Sequence, residues 1–294
     1  MRKIKIITDS GSDITQERAN ELGIRVLPIS FTFDGETYYK EGVEMEVSEF
    51  YDKLRASENT PKTTQVTPVQ FTDVFNDEYD NGYDTLIVVT ISSNGSGMNQ
   101  NARMAAAEVM DERGGDITVI DSQGFSCIYG APVVHAAHML NDGKTKDEIV
   151  AYLEDVLPTM KSYFLVDDLL HLKKGGRINA ATLVIANMLD IKPVLTIKDG
   201  LVVQKDKLRG NKKIFKKLIE NAVDDDFELD GKSILIPYTG NKERAEELKE
   251  ALMEEFDNVK LLDCQLGAVI GCHGGPGLTG FVFSDKYNFF DYED

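Results

Sequence analysis

Thr85-Leu86-Ile87-Val88-Val89-Thr90-Ile91-Ser92-Ser93-Asn94-Gly95-Ser96-Gly97 runs from unbroken apolar and β-branched residues straight into a loop of small hydroxyl residues and glycine. Because every position of the run is apolar or Thr, rather than every second one, it predicts a strand buried on both faces of a parallel sheet. An alanine-rich helical pattern follows from Asn101. In open sheets of this kind ligands bind beyond the carboxyl ends of the strands, where loops offer hydroxyls and free backbone N–H groups.

Two other segments repeat the arrangement. Ile4 to Ile7 runs into Thr8-Asp9-Ser10-Gly11-Ser12-Asp13, and Ile117 to Ile120 runs into Asp121-Ser122-Gln123-Gly124. Parallel strands would open all three loops on one edge. The alternative is that each cluster caps the helix behind it; three hydroxyl-rich loops together favour a ligand edge. Helical patterns near 15–22, 47–56, 68–80, 100–113, 126–141 and 145–160 alternate with these strands, which predicts a mostly parallel sheet with helices on both faces. Between Val26 and Glu41, Pro28, Asp34-Gly35 and the alternation of Ile29, Phe31 and Phe33 suggest a hairpin excursion that can act as a flap.

Past Tyr163 the order changes. A strand at 163–166, a short helix, an apolar helix from Ala180 to Leu189 and a hairpin of 193–197 with 201–206 turned at Asp199-Gly200 are followed by strands near 233–237, 259–263 and 280–283. The expected fold class is α/β with two domains: residues 1–163 form an α/β domain on a mostly parallel sheet, and 164–294 an α+β domain on a mixed or antiparallel sheet. A length of 294 residues suits that division.

The composition, 42% hydrophobic and 28% charged, is that of a globular protein. No apolar stretch reaches the roughly 18 residues of a membrane helix, and no targeting segment is read, so a cytoplasmic protein is expected. Cys127, Cys264 and Cys272 are few, odd in number and lack metal-ligand spacing, so packing is expected of them and no metal site. A net charge of −18 argues against a nucleic-acid partner. Against that acidic background, Lys205, Lys207, Arg209, Lys212, Lys213, Lys216 and Lys217 form a basic stretch containing one acid, Asp206. It reads either as a solvated helix face or as a docking surface for an acidic partner.

His273 stands in Gly271-Cys272-His273-Gly274-Gly275-Pro276-Gly277, where backbone approaching a ligand is a better reason for the glycines than packing. An imidazole there can donate to a carboxylate or phosphate, or exchange a proton. His135, His138 and His171 lie in apolar patterns and read as structural. Thr67-Pro68 reads as a helix N-cap and first helical residue, which leaves Thr63 and Thr64 to face a ligand. Arg177, after two glycines, offers a planar fork suited to a carboxylate or a phosphate, the alternative being a surface salt bridge.

In this order, Thr8-Asp9-Ser10, Thr63-Thr64-Gln65, Ser92 to Gly97, Asp121-Ser122, Leu172-Lys173-Lys174-Gly175-Gly176-Arg177-Ile178, Lys192-Pro193 and His273-Gly274-Gly275-Pro276-Gly277 resemble the signature stretches of the DegV family over nearly the whole chain. The resemblance implies a carrier without catalytic residues or cofactor that holds one long-chain fatty acid in a buried tunnel between or within the domains. Members of the FakB type present the carboxylate to a separate ATP-dependent fatty acid kinase subunit, and the acyl phosphate enters phospholipid synthesis; contact with a membrane surface would be transient at most. Carried over onto this chain, the carboxylate-binding set is Thr63, Ser93 and His273, with Thr64 and Arg177 close by. Arg209, Lys212 and Lys213 are then the expected docking residues for the kinase. Leu183, Ile185, Met188, Leu189 and Val194 can line the tail. Gly95, Met98 and Asn99 stand where the family more often has leucine, threonine and an aromatic, and Thr64 and Val66 replace the usual serine and proline, so acyl preference is the property most open to change. The rival is a lipid-ester hydrolase with Ser93 as nucleophile and His273 as base, although Ile91-Ser92-Ser93-Asn94-Gly95 is no Gly-x-Ser-x-Gly elbow.

Overall fold

A computed structural model describes residues 3–167, 169–179, 191–210, 213–240, 242–289 and 292. Its first sheet is four-stranded and wholly parallel. β1 (Ile4–Asp9) is flanked by β2 (Arg25–Leu27) on one side and, on the other, by the strand Thr85–Thr90, which pairs in turn with Asp116–Asp121. The central strand Thr85–Thr90 is buried at all six positions, as its unbroken apolar run requires. β2 was hidden in the expected excursion: it is three residues long and one of them is Arg25, too short and too polar at its edge to show a period.

The rest of the excursion is no free flap. β3 (Ser30–Thr32) pairs antiparallel with β4 (Tyr39–Lys40) and also with β5 (Lys62–Thr63), giving a second, three-stranded sheet. Phe31, Phe50, Tyr51, Leu54, Ala268 and Cys272 form its own small core. Phe31 meets Phe50 edge to face at 5.1 Å, a contact worth about 1 kcal/mol beyond the area it buries.

The remaining strands of the first layer are β6 (Thr85–Thr90) and β7 (Asp116–Asp121). The helices are α1 (Gln16–Leu22), α2 (Val47–Ala56), α3 (Pro68–Asp80), α4 (Met98–Arg113), α5 (Cys127–Asn141) and α6 (Lys146–Val156). The last stops earlier than the expected 160, because Pro158 breaks it into one 3₁₀ turn. β8 (Met160–Leu165) starts at once and belongs whole to the third sheet, so a division at 163/164 passes through a strand.

The third sheet is mixed, in the order β10-β9-β8-β13-β11-β12, with α7 (Leu170–Gly175), β9 (Ile191–Lys198), β10 (Leu201–Arg209), α8 (Ile214–Val223), β11 (Ser233–Tyr238), α9 (Lys242–Glu255), β12 (Lys260–Gln265), α10 (Ala268–Gly274) and β13 (Thr279–Ser284) completing the described chain. Among the described strand pairs of this sheet, only β11 with β12 is parallel. Strand periodicity decides what each face does. Tyr163, Leu165, Ile234, Ile236, Phe281 and Phe283 pack with Leu218 of α8 and Leu248 of α9. Their alternates Phe164, Leu235 and Val282 point the other way and join the large core shared with the parallel sheet. The two layers thus meet through one continuous apolar cluster, and the site lies in that seam.

Candidate functional site

A cavity of about 580 Å³ opens in the seam, within the roughly 300–1,000 Å³ usual for small-molecule sites. Its walls are mostly apolar: Ile29, Ile91, Met98 and Ile128 from the first layer face Phe164, Ile197 and Val282 from the third sheet. Polar side chains gather where β5, α10 and the loop after α7 meet, and there the cavity is lined by Thr63, Thr64, Arg177 and His273.

Each of these four is positioned by local structure. β5 places Thr63 opposite Phe31, and the Thr64 amide donates to the Ser30 carbonyl at 2.8 Å. His273 sits in the last turn of α10, its Nε2 3.0 Å from Thr63 Oγ1. Its Nδ1 is buried without a hydrogen-bond partner and packs on Gly175, where a Cβ would lie 2.3 Å from that nitrogen. Gly175 is therefore needed for close approach. Burial, with the charges of Arg177 and His171 adding, pushes the imidazolium of His273 down to about 4, so the ring is neutral at pH 7. Arg177 donates from Nε to the Gly95 carbonyl at 2.9 Å and from Nη1 to the Gly175 carbonyl, which ties the two glycine-bearing loops together. Burial lowers its pKa from the ordinary value.

Ser93 is not brought to this site. It is exposed, its backbone N–H donates to Asp121 Oδ1 at 3.0 Å, and it borders a separate outer depression. Ser96 and Gly97 of the same loop line the cavity instead. The hydrolase alternative fails on the same geometry, since the ring that would serve Ser93 as base has its Nε2 on Thr63. Ser92 is turned inward to bind the Gly200 carbonyl at 2.7 Å, and Asn94 Nδ2 donates to the Asp199 carbonyl at 2.8 Å, so half of the hydroxyl-rich loop docks the β9–β10 hairpin.

The other two strand-end loops also spend their polar groups internally. Asp9 accepts from the Gly11 and Ile91 amides and from the Tyr129 hydroxyl at 2.7 Å; burial still raises its pKa to about 6. Asp121 accepts from the Ser93 and Gln123 amides. The capping reading holds for Asp9, which caps the 3₁₀ turn Ser10–Ser12, whereas Asp121 ties its own loop to that of Ser93.

A feature with no signal in sequence spacing lies behind α10. Glu41 Oε1 accepts from the Val269 amide at 2.7 Å and Asp13 Oδ1 from the Gly267 amide at 2.9 Å, so two buried carboxyls hold the amino end of the helix that carries His273. Burial, reinforced by the neighbouring Asp13 charge, raises the Glu41 pKa to about 8, and burial, with Cys264 and Asp9 nearby, pushes Asp13 well above its ordinary value. Glu41 is accordingly protonated at pH 7.

Other expectations resolve residue by residue. Val194 is fully buried in the cluster against α8 and α9 and does not line the cavity. Leu183, Ile185, Met188 and Leu189 lie outside the described residues, as does Lys212. Gly95 and Met98 do line the cavity, whereas Asn99 is buried between Thr90 and Arg103. In the basic stretch, Lys205 pairs with Asp225, Lys216 with Glu255, and Lys217 donates to the Arg209 carbonyl; Arg209 and Lys213 are exposed. His135 packs at a tilt against Tyr152 and His138 meets Arg18. All three cysteines are free and buried, although Cys127 also lines the cavity. Sequence reasoning missed Gln65, Ser96, Phe125 and Ser126, which line it too; Gln65 and Ser96 sit inside stretches already singled out.

Among the described residues, no helix is long and apolar enough to cross a membrane. The model of the DegV family, described as uncharacterised proteins, matches residues 3–286. The chain is 35% identical over 286 residues to a DegV domain-containing protein of Caldanaerobacter subterraneus, covering 97% of this chain and all of the relative. It is similar in structure to a DegV family protein of Thermus thermophilus described by its fatty acid binding, with a TM-score of 0.86 at 32% identity over 97% of this chain and 99% of that one. Bacillus subtilis DegV, described as a fatty acid binding protein, superimposes with a TM-score of 0.84 at 27% identity, covering 97% of this chain and 99% of the other.

Proposed function

The chain belongs to the DegV family, and on that premise we propose that it binds one long-chain fatty acid in the seam cavity, carboxylate toward Thr63, Thr64, Arg177 and His273, and offers that carboxylate to a separate ATP-dependent kinase subunit for acyl phosphate formation. The observation that carries the binding reading is a largely apolar cavity with Thr63, Thr64, Arg177 and His273 grouped in its wall. A buried carboxylate costs several kcal/mol unless donors meet it. Arg177, held in place through Nε and Nη1, donates to it from Nη2. Nδ1 of His273 faces a glycine CH, which suits an unprotonated nitrogen. The proton then sits on Nε2 and is donated to Thr63 Oγ1, leaving the Thr63 hydroxyl hydrogen to point at the ligand.

The kinase reading rests on the resemblance of the signature stretches and on the exposed cations Arg209 and Lys213. Titration of delipidated protein with palmitate tests the first part: saturable uptake at one per chain is expected, and its absence refutes it. For the second part, Arg209→Glu with Lys213→Glu is expected to abolish acyl phosphate formation by the kinase while palmitate uptake stays intact. Unchanged phosphorylation would remove the docking assignment.

A further inference from the structure

Gly95 and Phe125 are complementary in space. A Cβ built on Gly95 would lie 2.5 Å from Phe125 Cε1 and 2.6 Å from Cζ, so the aromatic ring occupies the room that any side chain at position 95 would need. Both residues line the cavity. The Gly95 carbonyl receives Arg177 Nε at 2.9 Å, which puts the ring beside the polar end of the cavity rather than its apolar depth.

The ring stands on a rigid mount. Its loop joins β7 to α5, and the residues at 123 and 126 both adopt left-handed backbone without being glycine: Gln123 at φ 51° and Ser126 at φ 55°. Such conformations cost on the order of 1–3 kcal/mol each and persist only where surrounding bonds over-determine them. Those bonds are present: the Ser126 amide donates to the Gly11 carbonyl at 2.8 Å, the Ser92 amide to the Gly124 carbonyl at 3.0 Å, and the Gly124 amide to Ser122 Oγ at 3.1 Å. The loops after β1 and β6 thus clamp the backbone on either side of Phe125, and the loop after β6 also offers Gly95 to receive its ring.

From this arrangement we infer that Phe125 is a specificity-determining wall, which narrows the cavity next to the carboxylate group and selects ligands unbranched at the carbons nearest that carboxylate. The inference rests on the fatty-acid reading above. A rigid ring against the first methylenes leaves room for a linear chain and clashes with a methyl branch.

Competition between palmitate and α-methylpalmitate for the delipidated protein tests this. The wild-type chain is expected to prefer palmitate by about tenfold or more, the discrimination a single misplaced methyl group commands in a fitted apolar pocket. Phe125→Ala is expected to reduce that preference by about tenfold while palmitate affinity changes less than the α-methyl affinity does. Phe125→Leu, which keeps an apolar side chain of intermediate size and is the safer variant for folding, should give an intermediate ratio. An unchanged ratio in the variants, or no preference in the wild type, overturns the inference while leaving fatty-acid binding intact. Failure of the wild type to take up either acid overturns the fatty-acid reading itself.

Discussion

At the scale of single residues, His273 was singled out because four glycines and a proline surround it, yet those glycines pack on Phe50, Leu278, His171 and Asp167, and it is Gly175, from outside that stretch, that comes within contact of the ring. Ser93 was misplaced for an equally physical reason. Ser92, Ser93 and Ser96 are indistinguishable by composition, and only the turn of the loop decides that Ser92 faces the hairpin, Ser93 the solvent and Ser96 the cavity. Thr63→Val keeps shape and removes the hydroxyl; it is expected to weaken palmitate binding about tenfold, roughly 1.4 kcal/mol, and to cost about 1 kcal/mol of stability because His273 Nε2 loses its acceptor, as read by calorimetric titration and denaturant unfolding. The Glu41 and Asp13 carboxyls had no sequence signal, since 28 positions and two sheets separate them. Their effect is a pH dependence with a definite sign. A carboxyl that titrates near 4.5 when unfolded and near 8 when folded makes the native state hold more protons between those values, so its contribution to stability is lost as pH rises through about 8. Glu41→Gln, which can still accept from the Val269 amide, is expected to flatten that loss between pH 5 and pH 8 in urea unfolding. An undiminished slope would show that Glu41 is ionised throughout.

At the scale of elements, the strands with continuous apolar runs and the hairpin turned at Asp199-Gly200 were readable from period and turn chemistry alone. β2, β4 and β5 were not, being two or three residues long and defined by their partners rather than by their own pattern. Yet β5 carries Thr63, so the least legible element holds a site residue. The hairpin turn is bound to the Ser92 loop at its tip: Gly200 has φ 69°, and a Cβ there would lie 2.3 Å from Ser92 Oγ. Gly200→Ala is expected to cost about 1–2 kcal/mol in denaturant unfolding, from backbone strain together with the lost contact. An effect within about 0.5 kcal/mol, ordinary for an exposed surface change, would show that the loop and hairpin are not coupled.

At the scale of the whole molecule, the division into an α/β layer and a mixed-sheet layer followed from the change of pattern near residue 160, but the shared core did not. Only the register of β8, β11 and β13 shows that one face of the mixed sheet belongs to helices α8 and α9 and the other to the seam. A cavity in that seam makes the ligand part of the structure. Palmitate at one hundred times its dissociation constant is expected to stabilise the delipidated chain by about 2.7 kcal/mol, seen as a rise in melting temperature that grows with ligand concentration. The most direct measurement is native mass spectrometry of the purified chain before and after solvent extraction and reloading. One fatty acid per chain, removed by extraction, restored by palmitate and weakened in Thr63→Val, is the expected result. A chain that carries no lipid and takes up none on reloading would contradict the account.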